Sequence, residues 1–206
     1  MHIHRNLFDS LRYPLKNWVK LIILGVILMI PIANLIGFGY YLRALRSTFE
    51  GSNLLPGFEN IRELFVNGIK LLIVCIIYTI IPFILIAISS ILGSFLLVLA
   101  FISAMAISIF AFMGIGNMVY YNNEISAAFR YREILEIISA VGLLKYSIWW
   151  ITLFLILTVT GTVVSIIGGI LLYYVLGFLF LAVGYGYLTL FQARSIALTF
   201  ASSKYY

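Results

Sequence analysis

Charge in this chain is confined to four short blocks, 5–20, 43–70, 124–145 and 194–204, and the sequence between them has none. The intervening stretches, 21–42, 71–123 and 146–193, are 22, 53 and 48 residues of nearly unbroken apolar sequence. A water-facing surface needs charge at short intervals, so the pattern excludes a soluble globule and specifies an integral membrane protein. Composition agrees: 64% hydrophobic and 10% charged, where soluble domains carry roughly half and about a quarter. No hydrophilic block exceeds 28 residues, too few for a separate soluble domain, so residues 1–206 read as one membrane domain.

A segment pattern recurs along the chain. Phe8-Asp9-Ser10-Leu11-Arg12 aligns with Phe58-Glu59-Asn60-Ile61-Arg62, and Asn17, Lys20 and Leu21 align with Asn67, Lys70 and Leu71. A third copy starts at Phe129, where Arg132-Glu133-Ile134-Leu135 resembles Arg62-Glu63-Leu64-Phe65. Gly37-Phe38-Gly39, Gly114-Ile115-Gly116 and Gly184-Tyr185-Gly186 close the three copies. The units run over about 7–48, 58–123 and 129–200 and predict a threefold internal repeat.

Each unit opens with residues spaced as an amphipathic helix: Leu7, Phe8, Leu11, Leu15, Trp18 and Val19; Phe58, Ile61, Leu64, Phe65 and Ile69; Ile134, Ile137, Ile138 and Val141. Such a helix either lies in the headgroup plane or packs its apolar face on the bundle. A span needs about 20 apolar residues. The two longer gaps therefore each hold two spans, with turns expected near Ser89–Ser94 and at Gly168-Gly169. That puts the blocks 43–70, 124–145 and 194–204 on one face, and their Lys and Arg make it the cytoplasmic one. Segment 21–42 suits either one span or, keeping the first unit in line with the others, a re-entrant hairpin turning near Pro31 and Asn34. With the hairpin, both termini are cytoplasmic. Tyr40-Tyr41, Tyr120-Tyr121 and Trp149-Trp150 fall where an inner aromatic belt belongs, and Tyr173-Tyr174 where an outer one does. The basic start followed by an apolar run resembles a signal peptide, but Gly-Phe-Gly-Tyr-Tyr follows in place of a small-residue cleavage site, so the segment is read as retained.

Leu11-Arg12-Tyr13-Pro14, Gly39-Tyr40-Tyr41 with Arg43 and Arg46, and Leu55-Pro56-Gly57-Phe58-Glu59 through Glu63-Leu64-Phe65 to Gly68 resemble a family of multi-pass archaeal membrane proteins, domain of unknown function 4013. Ala127-Ala128-Phe129 with Arg132-Glu133-Ile134-Leu135 resembles a later family segment. The similarity covers nearly the whole chain and is most specific over 55–70. The resemblance implies an archaeal cell-membrane location and brings no activity, cofactor or catalytic residue. Segment 21–42 is shorter than in some relatives.

The apolar gaps contain no Asp, Glu, Lys, Arg or His, the groups that catalysis or ion coupling within a bilayer relies on. Asn34 is read as capping the backbone of the broken hairpin. Ser89, Ser90 and Ser94 have no histidine near them in sequence. His2 and His4 form a lone His-x-His without supporting carboxylates or thiols, and Cys75 is the only cysteine. Ala100, Ala104 and Ser108, and Ser165 with Gly169, form small-residue ridges for close helix packing within the chain or between copies. Glu63 and Glu133 are expected to pair with Arg62 and Arg132 on their own helices. Because the Arg-Glu pair recurs, Arg62, Glu63, Lys70, Arg132 and Glu133, with Arg43 and Arg46, form the candidate inner-face interaction site.

The expectation is an all-α membrane bundle of four full spans, a re-entrant helical pair (or one further span) and about three interfacial helices. As function it reads as a non-enzymatic scaffold binding anionic membrane lipid, a protein partner or a second copy through a basic inner face, with no cofactor. The alternative is a small transporter or channel for an uncharged or lipid-like solute. Nothing points to nucleic acid, since there is no phosphate-cradling loop and the basic residues flank membrane segments.

Overall fold

The computed structural model describes residues 3–173 and 175–204, and every regular element among them is helical. In chain order these are α1 (Ile3–Arg12), α2 (Trp18–Met29), α3 (Asn34–Phe49), α4 (Ile61–Leu92), α5 (Phe95–Tyr120), α6 (Tyr131–Val141), α7 (Leu143–Leu171) and α8 (Val175–Ser203). Short 3-10 turns lie at Pro14–Lys16 and Ile125–Phe129. α4, α5, α7 and α8 are each long and apolar enough to cross a membrane. The longest, α4, has 32 residues, about 48 Å at 1.5 Å per residue against a hydrocarbon core of about 30 Å. The chain is a multi-pass helical membrane protein.

The turn between α4 and α5 falls where the sequence puts it, at Gly93, whose φ of +113° a side chain would resist. The second turn does not. Gly168 and Gly169 lie inside α7, and the chain reverses after Leu171. A Cβ at Gly168 would collide with the Leu181 side chain of α8, so that glycine serves close helix packing. Gly169 faces open space and contributes nothing to a ridge with Ser165. Tyr173 is 92% exposed, and Tyr174 lies outside the described residues.

Segment 21–42 folds as a helical hairpin. Pro31 disfavours helical geometry at Ile30, α2 ends at Met29, and Ile32 takes a left-handed φ of +70° before α3 begins. Backbone bonds close the bend, from Ala33 N–H to the Pro31 carbonyl and from Asn34 N–H to the Ile30 carbonyl, both 2.9 Å. The Asn34 side chain makes no hydrogen bond among the described residues, so it is not the cap that its position suggests. α2 packs along α3. Lys20 near the start of α2 donates to the Leu55 carbonyl and Tyr40 of α3 to the Pro56 carbonyl, both at 2.8 Å. The hairpin's two arms thus reach one loop at one end of the molecule.

The three amphipathic segments have three fates. α1 is a separate helix because Pro14 and Asn17 intervene; the Asn17 side chain caps α2 by accepting from Lys20 N–H. Its polar Asn6 and Ser10 are buried against α8, whereas Phe8, Leu11, Leu15, Trp18 and Val19 face outward. α6 does the reverse, burying Ile134, Ile137, Ile138 and Val141, and is cut from α7 by Gly142 at φ +93°. The 58–70 segment is not a separate helix. No comparable break follows it, so Ile61 onward forms the first turns of α4, with Leu64 buried, Phe65 half-buried and Ile69 more exposed. The described residues therefore hold two short amphipathic helices and not three.

α8 runs through the centre, touching α1, α2, α3, α5, α6 and α7, and from 190 to 200 nearly all its side chains are buried. Tyr40, Tyr41 and Trp149 belong to this core and not to a surface belt; Tyr120 is exposed and Trp150 half-buried. Trp149 donates to the Ser195 hydroxyl at 2.9 Å, and Tyr40, whose hydroxyl donates to the Pro56 carbonyl, stacks on Phe58 at 4.2 Å. The outer parts of α4, α5 and α7 expose isoleucine, leucine, valine and phenylalanine, the surface expected where a bilayer takes the place of water.

Candidate inner-face site

The loop 54–59 has no regular structure, and its carbonyls need partners from elsewhere. Tyr13 reaches the Leu54 carbonyl at 3.3 Å, Lys20 that of Leu55 and Tyr40 that of Pro56. Arg43 reaches the Gly57 carbonyl at 3.1 Å and the Glu59 carbonyl at 2.5 Å. Burial pushes the Tyr13 hydroxyl above its ordinary pKa, against the pull of Arg194, which keeps it a donor. The Leu-Pro-Gly-Phe-Glu stretch is thus a strap whose backbone is read by α2 and α3, with Tyr13, just after α1, on the residue before it.

Around this strap the candidate residues split into separate clusters. Arg43 pairs with Glu63 at 3.2 Å, across from α3 to α4, in place of Arg62. Arg62, Glu63 and Lys70 line one shallow depression of about 530 Å³ with Asn60, Val66 and Asn67. Arg62 and Lys70 have no ion pair among the described residues. Glu133 lies elsewhere, in a cleft of about 320 Å³ with Glu136, Ser203 and Lys204. Its partners are Asn117 at 3.0 Å and Arg130 at 3.4 Å, not Arg132. The Asn117 hydrogen bond holds the Glu133 carboxyl below the usual carboxylate range, outweighing desolvation and assisted by Arg130. Arg130 also pairs with Glu124 at 3.3 Å and lies over the Tyr121 ring. Arg46 donates to the Asn122 side chain at 3.2 Å and is spent on α5's end. The (i, i+1) Arg-Glu spacing places the two side chains on different helix faces, so each glutamate finds a cation on another element or one turn away.

The strongest electrostatic feature centres on Arg194, 5% exposed on α8. It donates to Asp9 Oδ2 at 2.8 and 3.0 Å, the Ser52 carbonyl at 2.8 Å, Asn53 Oδ1 at 2.5 Å and Thr48 at 3.3 Å. Its guanidinium also sits 5.0 Å from the Tyr13 ring centre. One side chain ties together α1, α3, α8 and the loop at Ser52 and Asn53 that leads into the strap. The sequence carries a signal for it: Leu190, Arg194 and Ala197 share one helical face, and an arginine on an apolar face needs internal partners.

Asn6 joins the same region, donating to Thr199 at 2.9 Å and accepting from Ser195 at 3.0 Å. A cavity of about 480 Å³ opens beside it, lined by Arg5, Phe8, Asp9 and Arg12, with Arg12 over the Phe8 ring. His4 stacks near Phe8, and His2 lies outside the described residues. A second kind of cavity, of about 310 Å³, lies deeper, between the α2–α3 hairpin and α4, α5 and α8.

Residues 22–173 match the family described as protein of unknown function (DUF4013). The chain belongs to this family. No curated protein and no solved structure matches it. The DUF4013 match spans most of the hairpin, the strap, α4 to α7 and the cations Arg43, Arg46, Arg62 and Arg132, while Asp9 and Arg194 fall outside the matched residues.

Proposed function

We propose that this DUF4013 protein is a non-enzymatic membrane scaffold whose cytoplasmic face binds anionic lipid headgroups. The observation that carries the reading is the outward face of 8–19. Phe8, Leu11, Leu15, Trp18 and Val19 are exposed while Arg5, Arg12 and Lys16 flank them and the polar edge is docked on α8. A helix held by its polar edge with its apolar face outward suits the headgroup boundary of a bilayer. Cations there attract anionic lipid at about 1 kcal/mol each. Arg62 and Lys70 add a second patch with no competing internal ion pair.

In this reading the protein sits in the cell membrane with both termini inside, and the α2–α3 hairpin re-enters without crossing. Three hairpins, α2–α3, α4–α5 and α7–α8, are the repeated unit. Their Gly-x-Gly pairs support this. Gly37, Gly114 and Gly184 each meet the preceding helix of their own hairpin, at Leu28, Tyr78 and Val164. Gly39, Gly116 and Gly186 each meet another hairpin, at Leu64, Phe200 and Leu21.

The test is lipid retention. Protein reconstituted in mixed phosphatidylglycerol and phosphatidylcholine, then stripped with mild detergent, should keep phosphatidylglycerol above its bulk share. The Arg5→Gln, Arg12→Gln, Lys16→Gln variant should lose most of that excess. Retention at the bulk ratio by the native chain would defeat the proposal. Proton- or ion-gradient-driven uptake of a solute would instead favour the transporter alternative.

A further inference from the structure

The cavity among the hairpin, α4, α5 and α8 carries an inference independent of the inner face. Its walls are mostly apolar, from Leu28, Phe38 and Phe112 among others, and no Asp, Glu, Lys, Arg or His is among its lining residues. Two polar side chains in it have no hydrogen-bond partner among the described residues: the Tyr41 hydroxyl, on a ring 6% exposed, and the Gln192 amide. The other polar groups are committed. Thr79 and Thr189 donate to carbonyls one turn back, and Tyr78 donates to the Ala128 carbonyl.

Both polar groups line the cavity, so whatever fills it must supply their partner, and a plain hydrocarbon chain offers none. Tyr41 and Gln192 together present both donors and an acceptor. The complement is one uncharged end that also donates and accepts, on an apolar body. A charged end is disfavoured, since no opposite charge is present to receive it. About 310 Å³ lies near the lower limit of ligand pockets, about 300 Å³, which fits one hydrocarbon chain and not a two-chain lipid. Cys75 and Thr79 are on the cavity wall and also exposed on the bilayer side of α4, so the opening faces lipid.

We propose that this cavity is a binding site for a single-chain, uncharged amphiphile with a hydroxyl end, entering from the bilayer beside Cys75 and hydrogen-bonding Tyr41 and Gln192.

The probe is dodecan-1-ol carrying a diazirine near its methyl end, photoactivated with the full chain in phosphatidylcholine nanodiscs. Saturable labelling of cavity-wall peptides from α4, α5 or α8 is expected. Excess dodecan-1-ol should suppress it, whereas dodecane and ionised dodecanoate should not. Joint Tyr41→Phe and Gln192→Leu substitution should cut the saturable labelling about fivefold, a loss of about 1 kcal/mol, without lowering the thermal midpoint, because neither group bonds to another side chain or carbonyl among the described residues. Ala111→Phe, which fills the cavity, should cut it similarly and stands in if the double variant does not fold. Non-saturable labelling spread over outward α4 residues such as Ile76 and Ile80 would mean bulk lipid contact and overturn the proposal. So would equal competition by dodecane, or labelling indifferent to both variants.

Discussion

Asp9→Ala should destabilise the protein chiefly by stranding Arg194. The arginine is 5% exposed and Asp9 39% exposed at the side chain, so the two partners are asymmetric. Removing one member of a fully buried pair costs about 3–5 kcal/mol, but solvent already screens Asp9, which lowers the expected cost to about 2 kcal/mol. At about 2–4 °C per kcal/mol for a chain of this size, the apparent unfolding midpoint should fall by about 4–8 °C. Arg194→Leu removes the buried charge itself but leaves Thr48, the Ser52 carbonyl and Asn53 short of a donor. The combined variant should be less damaged than the sum of the singles, by about 1–2 kcal/mol, since Asp9 has nothing left to neutralise. Midpoints of detergent-solubilised protein, followed by fluorescence-detected size exclusion after heating, would give all four corners of the cycle. Strictly additive losses, or no loss from Asp9→Ala, would mean that the contact at 2.8 Å holds nothing together.

Gly39→Ala should cost about 1–3 kcal/mol, because its Cβ would collide with the Leu64 carbonyl of α4, whereas Gly169→Ala, facing open space, should be neutral or mildly stabilising in the same heating assay. Glu133 has a folded pKa depressed below its unfolded value. Its contribution is therefore complete above the ordinary range near about pH 4.3 and is lost as pH falls through the folded pKa. Glu133→Gln should lower the midpoint at neutral pH but match the native chain in strong acid, and a pH-independent difference would contradict that assignment. Trp149→Phe should cost about 1–3 kcal/mol by leaving the buried Ser195 hydroxyl without its donor; an unchanged midpoint would show that hydrogen bond to be dispensable.

Much of the architecture was legible because charge and hydrocarbon segregate so sharply. The four long helices follow from gap length, and the α4–α5 turn from Ser-Ile-Leu-Gly-Ser. What the sequence hides is the neighbour of each face. α1 and α6 share an amphipathic pattern, yet one faces its apolar residues outward and the other inward, since periodicity names no partner. The 58–70 segment fused into α4 because nothing like Pro14 or Gly142 separates it from the span. Gly168-Gly169 looked like a turn, but a glycine in contact with Leu181 is better explained by packing. Tyr40-Tyr41 and Trp149 looked interfacial and proved central, because their polar ends meet partners or a cavity inside the bundle. The candidate site was legible in residue type more than in pairing. Arg43 with Glu63, Asn117 with Glu133 and Arg194 with Asp9 are contacts between elements far apart in sequence, and local spacing does not encode them.

Accessibility of single cysteines in intact cells tests the membrane arrangement most directly. In a Cys75→Ser background, cysteines placed at Leu15, Ser52, Ser126 and Tyr173 would be challenged with a membrane-impermeant thiol reagent. The account predicts labelling at Tyr173 alone, with Leu15 shielded like Ser52 because α2 and α3 turn back at Pro31. Labelling at both Leu15 and Tyr173, with Ser52 protected, would mean that segment 18–49 crosses the bilayer and would contradict the re-entrant hairpin.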